Sequence, residues 1–283
     1  MKNSESQFEM FRYQLLPIDR YLQGDLFEDI STVEDLLKKK NNLFSRVLSS
    51  KKDFSNKKTQ TATKLLLNTE DFFLFRIAAN RSLHRETKEF KEEYLDNWPS
   101  ILVAVWNDPE VQIVAVQKRT SAFQHTETVV KLILDGIRSS LAGYHLRAIH
   151  EPMVERKVFW QIVEKYYNKI QKIEFEFITP NMANISGNLP ESLKEFAKAA
   201  NSVKNKLEIE ADPDSSLHIE KNNNTISSLA DYTSDGGGNV ALKVRGLSKK
   251  INTSKTIKHV EVSELSLQGT AEEVAEILKE LMK

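Results

Sequence analysis

Apolar and polar residues alternate with two periods along this chain, and each change of period marks a new element. Near the start, Phe8, Met10 and Arg12 interleave with Phe11, Tyr13 and Leu15. That spacing predicts a first strand ending at Pro17, because proline has no N–H to give to a ladder. The helical period follows. Val33, Leu36, Leu37, Phe44, Val47 and Leu48 form one apolar stripe, opened by a capping box of Ser31 and Glu34 and interrupted by a solvated run, Lys38, Lys39 and Lys40. From Ser49 to Lys64 the pattern is lost in Lys, Ser, Asn and Thr, which predicts a long flexible loop.

The stretch LLLNTEDFFLFRIA predicts a strand or strand pair through Ala78, and Leu83 to Leu95 a charged helix. The clearest signal is WPSILVAVWNDPEVQIVAVQKRT. Two apolar runs, Ile101 to Trp106 and Val111 to Gln117, flank Asn107, Asp108, Pro109 and Glu110, which is a hairpin spelling. Its near-continuous hydrophobicity places the hairpin centrally, with both faces covered. A helix follows from about Ser121 to Ala142.

After Gly143 the segments shorten. YHLRAIH, IEFEFITP, KLEIEAD, LHIE, NVALKVRG and HVEVSELSL read as strands. Helices are expected around Val158 to Ile170, from Pro190 through Val203, from Thr225 to Tyr232, and from Thr270 to Met282. The last carries a capping box, Thr270 with Glu273, and a stripe of Val274, Ile277, Leu278 and Leu281. The order lacks regular βαβ alternation. It predicts an α+β fold with a mixed, mainly antiparallel sheet and packed helices, divisible near Glu151 to Arg156 into halves 1–150 and 151–283.

Composition narrows the function classes. The 283 residues suffice for a sizeable core, and 40 Lys/Arg against 40 Asp/Glu give no global field toward nucleic acid or an anionic membrane. Polyanion binding must therefore be local. With no cysteine, disulfides, thiolate catalysis and Cys-ligated zinc are excluded. The start, MKNSESQFEMF, lacks an apolar leader core, and no run approaches the roughly 20 apolar residues of a membrane span. A cytoplasmic protein is expected.

The stretch SDGGGNVALKVRGLSKKINTSKTIKH concentrates the candidate chemistry. Gly236, Gly238 and Ala241 match a dinucleotide spacing, but that loop should follow a strand and open a helix. Here a helix precedes and a strand follows, so the glycines are expected to form a helix cap and sharp turn with at least one positive φ. Three glycines exceed what a turn needs, which leaves close approach by a ligand or partner open. His145 and His150 fall on opposite strand faces, and Pro152 breaks any helical zinc spacing after His150-Glu151, so no metal is assigned. Glu174 with Glu176, and Glu208 with Glu210, share strand faces as a divalent-metal pair would, and equally as a solvated face would. Glu155-x-Lys157 is a fragment of a nuclease spacing but leads into a helix. No catalytic residue and no cofactor is assigned.

Lys243, Arg245, Lys249, Lys250, Lys255 and Lys258 lie between Asp235 and Glu261 with no acidic residue among them, beside Ser248, Asn252, Thr253 and Ser254. Cations, hydroxyls and backbone donors in one loop suit phosphate oxygens. Lys51, Lys52, Lys57 and Lys58, with Lys38 to Lys40, make a second basic cluster. The alternative for both is a solvated loop, since no aromatic residue interleaves the cations.

In element order from Phe72 to Gly246, the chain resembles bacterial phage-exclusion and antiphage-defence proteins of the RexA and KwaB kind. The resemblance rests on PSILVAVWNDPEVQIVAVQKRT, YHLRAIHEP, the pair IEFEFITP and KLEIEAD, and ADYTSDGGGNVALKVRG. It implies a self-associating, cytoplasmic DNA-binding protein that senses phage intermediates and works with a partner protein, often membrane-embedded. Two readings of function result: a non-enzymatic, sequence-independent DNA-binding component of such a system, or a protein-interaction regulator or scaffold that does not touch nucleic acid. A metal-dependent nuclease is a third.

Overall fold

The computed structural model describes residues 4–18, 30, 32–55, 59–179 and 187–283. In chain order the strands and α-helices are β1 (Glu5–Pro17), α1 (Val33–Ser50), β2 (Thr61–Asn68), β3 (Phe72–Ala79), β4 (Leu83–Glu86), β5 (Glu92–Leu95), β6 (Ser100–Asn107), β7 (Gln112–Gln117) and α2 (Thr126–Gly143). There follow β8 (Leu146–Pro152), α3 (Arg156–Lys165), β9 (Ile170–Ile178), α4 (Glu191–Ala199), β10 (Lys204–Glu210), α5 (Asn224–Tyr232), β11 (Gly238–Val244), β12 (Ile251–Asn252), β13 (His259–Ser263) and α6 (Ala271–Leu281). This is an α+β fold of antiparallel sheets. No helix among the described residues is long and apolar enough to cross a membrane.

The chain forms two compact units. Residues 1–10, 17–148 and 259–283 make the first, and residues 11–16 and 149–258 the second. The first is built on a sheet ordered β13-β1-β7-β6-β3-β2, with β8 also on β1. The β6–β7 hairpin is central, as its sequence predicts, and Ile101 to Trp106 are buried along their whole length. Both faces are covered because β3 presents its odd residues to one side, where Phe54 meets Phe75, and its even residues to the other. There Lys279 of α6 lies over the rings of Phe72 and Trp106 and binds Asp71 at 2.8 Å. The capping box of Thr270 and Glu273 starts α6 as expected.

Several expectations are corrected. Leu83 to Leu95 is a hairpin, β4–β5, with Leu83 opposite Leu95 and Arg85 opposite Glu93. The segment has good helix formers but no apolar stripe to bury, so cross-strand pairing prevails. Helix α1 is capped by Thr32, whose side chain accepts from the Asp35 N–H, while Ser31 lies outside the described residues. The expected loop from Ser49 shortens at both ends: α1 runs to Ser50 and β2 starts at Thr61, with Asp53 accepting from the hydroxyls of Thr61 and Thr63. Leu217 to Glu220, expected as a strand, joins no ladder; Leu217 N–H donates to the Ile170 carbonyl at 2.8 Å, and Ile219 is buried.

Lys40 is not solvated. It lies on the same helical face as Leu36 and Phe44, four residues away on either side, and is 5% exposed. Burial lowers its ammonium from 10.5 to about 8, against an opposing pull from Glu110. The native chain therefore releases this proton before the unfolded chain does. Between pH 8 and 10.5 the unfolded state binds more protons, so stability rises with pH, and the cost of the buried charge is fully present below pH 8. Lys40→Met is expected to stabilise the protein by about 2 kcal/mol at neutral pH. The gain should shrink toward zero above pH 10.5, and denaturant titrations at three pH values would expose a pH-independent difference, which this account forbids.

Candidate nucleic-acid interface

The second unit holds the candidate site. Its sheet is ordered β10-β9-β11-β12 and buries Ile173, Phe175, Phe177, Val240, Leu242 and Val244 against α3 and α5. Alternation then forces the other face of these strands to be polar. On it Glu174 and Glu176 of β9 share a side with Lys206 and Glu208 of β10, in direct register.

That face is a lattice of ion pairs. Lys172 binds Glu208 at 2.6 Å and Glu210 at 2.9 Å, and Lys206 spans Glu174 at 3.1 Å and Glu208 at 3.3 Å. Lys204 holds Glu176 at 2.5 Å, and Lys250 reaches Glu174. The hydrogen bonds that Lys172 donates to Glu208 and Glu210 raise its ammonium, while those that Glu174 accepts from Lys250 and then Lys206 lower Glu174. The carboxylates that share faces are thus neutralised by lysines. Among the described residues no group of three or more His, Asp or Glu converges as metal ligands would.

The six candidate cations of the basic stretch separate into distinct environments. Lys250 is occupied by Glu174. Arg245 is exposed, but its Nη2 donates to the Ser215 carbonyl at 2.7 Å, which ties the end of β11 to the segment after β10. Lys243 is exposed opposite Lys172 in the ladder, at a shallow cleft shared with Glu210 and Asp212. Lys249 and Lys255 are exposed and Lys258 half-buried, and none of the three has an ion-pair partner among the described residues.

The loop that carries them is pinned. Gly246 turns the chain at φ 85°, and β12 returns with Leu242 opposite Ile251 and Ala241 opposite Asn252. Thr253 is buried, and its hydroxyl meets the Val240 N–H at 3.3 Å, while Asn239 Oδ1 accepts from the Ser254 N–H at 3.2 Å. Lys258 N–H closes the segment on the Met153 carbonyl at 2.7 Å. Lysines on this loop therefore project from a fixed backbone. Of the second cluster, Lys51 and Lys52 are exposed just past the end of α1 in the first unit, where cations also suit the helix dipole. Lys57 and Lys58 lie outside the described residues.

The glycines face protein rather than an open cradle. Thr233 to Gly237 form a π-helical turn continuing α5, and Gly236 has φ 81°, the positive value expected. A Cβ on Gly236 would lie 2.5 Å from the Arg12 Cβ, and one on Gly237 would strike the Tyr232 ring. A Cβ on Gly238 would sit 1.9 Å from the Glu176 carbonyl oxygen. Close packing of the chain on itself accounts for all three.

The same turn holds a buried charge cluster that sequence reasoning missed. Arg12 is 5% exposed; its Nε donates to the Asp235 carbonyl, and its Nη1 is buried without a partner. Burial lowers the Arg12 guanidinium, opposed by Asp235. The Asp235 carboxylate is held from outside by Arg156 at 2.9 Å and Asn188 at 3.2 Å. Arg12 and Asp235 are 223 positions apart, and no local pattern announces their pairing.

The chain matches no protein-family model, no curated protein and no solved structure.

Proposed function

We propose that the chain binds the phosphate backbone of nucleic acid, independently of base sequence and without catalysis, through the loop from Gly246 to Lys258. The observation that carries this reading is the set of Lys249, Lys255 and Lys258 on a pinned turn, unopposed by carboxylates among the described residues. On the polar face of the same unit's sheet Lys172, Lys204, Lys206 and Lys250 are spent on glutamates, whereas Lys249, Lys255 and Lys258 keep their charge unpaired among the described residues. Phosphate contacts of this kind position a duplex and carry no sequence information. The resemblance in element order supports a setting in phage exclusion or defence, with DNA as the nucleic acid and a second protein as working partner.

Lys249→Glu, Lys255→Glu and Lys258→Glu combined should leave the fold intact, because none of the three side chains holds another residue among those described. Duplex affinity is expected to fall by about a hundredfold near 0.1 M salt, and the slope of log affinity against log salt by about 2 to 3. Fluorescence anisotropy over a salt series measures both. Wild-type protein that fails to retard DNA or RNA at low salt removes the proposal. An unchanged slope in the triple variant moves the contact elsewhere.

A further inference from the structure

The second unit buries a positive charge without a counter-ion. Arg12 and Gln14 stand two residues apart on one face of β1 and are 5% and 1% exposed. The Arg12 Nε donates to the Asp235 main-chain carbonyl, whereas its Nη1 has no partner. Within hydrogen-bonding geometry neither the Nε2 nor the Oε1 of Gln14 has one either. Tyr232 closes the same corner. Its hydroxyl donates to the Ile178 carbonyl at 2.7 Å, and burial raises the phenol against opposing pulls from Gln14 and Arg12, which places the three side chains together. Buried side-chain donors are almost always bonded, so unmet groups on two neighbouring side chains call for a common partner.

No carboxylate neutralises Arg12. Asp235 is the one carboxylate that pulls on it, and the Asp235 Oδ2 accepts instead from Arg156 at 2.9 Å and from Asn188 at 3.2 Å. Asp231 adds its pull to Arg156 and not to Arg12. Among the described residues Arg12 forms no ion pair. A buried charge is stable only when paired, and a guanidinium does not escape by losing its proton.

The surroundings define what pairs it. One guanidinium balances one negative charge, and a dianion such as inorganic phosphate would exchange an unpaired cation for an unpaired anion. The unmet donors are N–H groups, on Nη1 and on the Gln14 amide, and they suit an acceptor with no proton of its own to place. A water meets the same N–H groups but leaves the charge unbalanced. The occupant is also small. A Cβ on Gly236 would lie 2.5 Å from the Arg12 Cβ and one on Gly237 2.3 Å from the Tyr232 ring, so the main chain packs closely on both side chains.

We infer that the second unit binds one small monovalent anion, of the size of chloride or formate, between the Arg12 guanidinium and the Gln14 amide. The anion completes a bridge from β1 to the π-helical turn Thr233–Gly237, which leads directly into β11. The site is separate from the loop Gly246 to Lys258 and stands independently of nucleic-acid binding.

Thermal unfolding of the full chain tests the inference, with sodium chloride replacing sodium gluconate at a constant ionic strength of about 0.3 M so that screening is fixed. Gluconate is too large for the site. The wild type is expected to gain about 2 to 4 °C along a saturating curve, since an anion that binds only the folded chain stabilises it by mass action. Formate should reproduce the gain. Gln14→Met should need about tenfold more chloride for half the gain, and Arg12→Met should show none. Broadening of the chloride NMR line by wild-type protein, lost in Arg12→Met, reports the binding directly. Lys249→Glu, Lys255→Glu and Lys258→Glu combined should keep the whole gain, which separates this site from the proposed phosphate contacts. A wild type whose melting temperature does not rise and saturate with chloride overturns the inference and leaves a water on Nη1. A gain that survives unchanged in Arg12→Met, or that disappears with the loop lysines, overturns it by placing the anion elsewhere. Should Arg12→Met fail to fold, the chloride curve of Gln14→Met decides alone.

Discussion

Gly238→Ala is expected to destabilise the second unit by about 3 to 5 kcal/mol, enough to threaten a domain whose total stability is about 5 to 15 kcal/mol. Gly238 opens β11 directly opposite Phe177 of β9. The added methyl would fall 1.9 Å from the Glu176 carbonyl oxygen, 2.8 Å from its carbon and 2.9 Å from the Phe177 Cα. All three are main-chain atoms of the strand at the heart of the sheet. A side chain could swing away, but this backbone can move only by breaking its ladder to β10 on the other side. Gly143→Ala is the matched control. It ends α2 with nothing within 4 Å of the new Cβ, and it should be neutral or slightly stabilising. Urea titrations of both variants decide the matter, and a Gly238→Ala protein within about 1 kcal/mol of wild type would show that β9 and β11 are not packed as described.

That glycine also shows where sequence reasoning reached and where it stopped. A helix ending in Asp-Gly-Gly-Gly before an alternating strand specifies a turn with a positive φ at one or more of the three glycines, and the structure puts a left-handed residue at Gly236. What fills the space beside each glycine is not legible, because Arg12 and Glu176 arrive from distant segments. The β6–β7 hairpin and the cap of α6 were readable because their signals are local and redundant. Leu83 to Leu95 misleads for the opposite reason. Its residues favour a helix individually, and only the Leu83–Leu95 and Arg85–Glu93 pairs across the turn speak for a hairpin.

Charged residues were misread in a consistent way. Lys40 was grouped with Lys38 and Lys39 by its chemistry, although its spacing from Leu36 and Phe44 already places it on the apolar stripe. Similarly, the glutamates of β9 and β10 could be placed on one face by alternation, whereas their neutralisation by Lys172, Lys206 and Lys250 depends on register. Register is set by turns and partners, and single-strand patterns do not contain it. The basic loop is the converse. Its lysines were found as a run in sequence, but the ion pair of Lys250 and the tether of Arg245 divide that run into cations already engaged and cations still available.

Asn107→Ala is expected to cost the first unit about 3 kcal/mol, more than its size suggests. At the end of β6 its Nδ2 donates to the Asn41 carbonyl and to Ser45 Oγ, both at 2.8 Å, and its Oδ1 accepts from Asn41 Nδ2 at 3.0 Å. Gln112, the cross-strand partner of Asn107, extends the set toward Asn41 Oδ1 at 3.4 Å. Asn41, Asn107 and Gln112 are 7%, 2% and 0% exposed, so water cannot replace a lost partner without opening the contact between α1 and the hairpin. Truncating one member leaves the others buried and unsatisfied, and that residue of unmet donors and acceptors is the larger part of the cost. Asn41→Ala should therefore carry a penalty of similar size, and the double variant should fall short of the sum by at least about 1 kcal/mol, because the second truncation removes a group the first had already orphaned. A double-mutant cycle in urea measures that coupling. Additive penalties would mean that α1 is held to the hairpin by its apolar stripe alone, with the amides solvated in the native state.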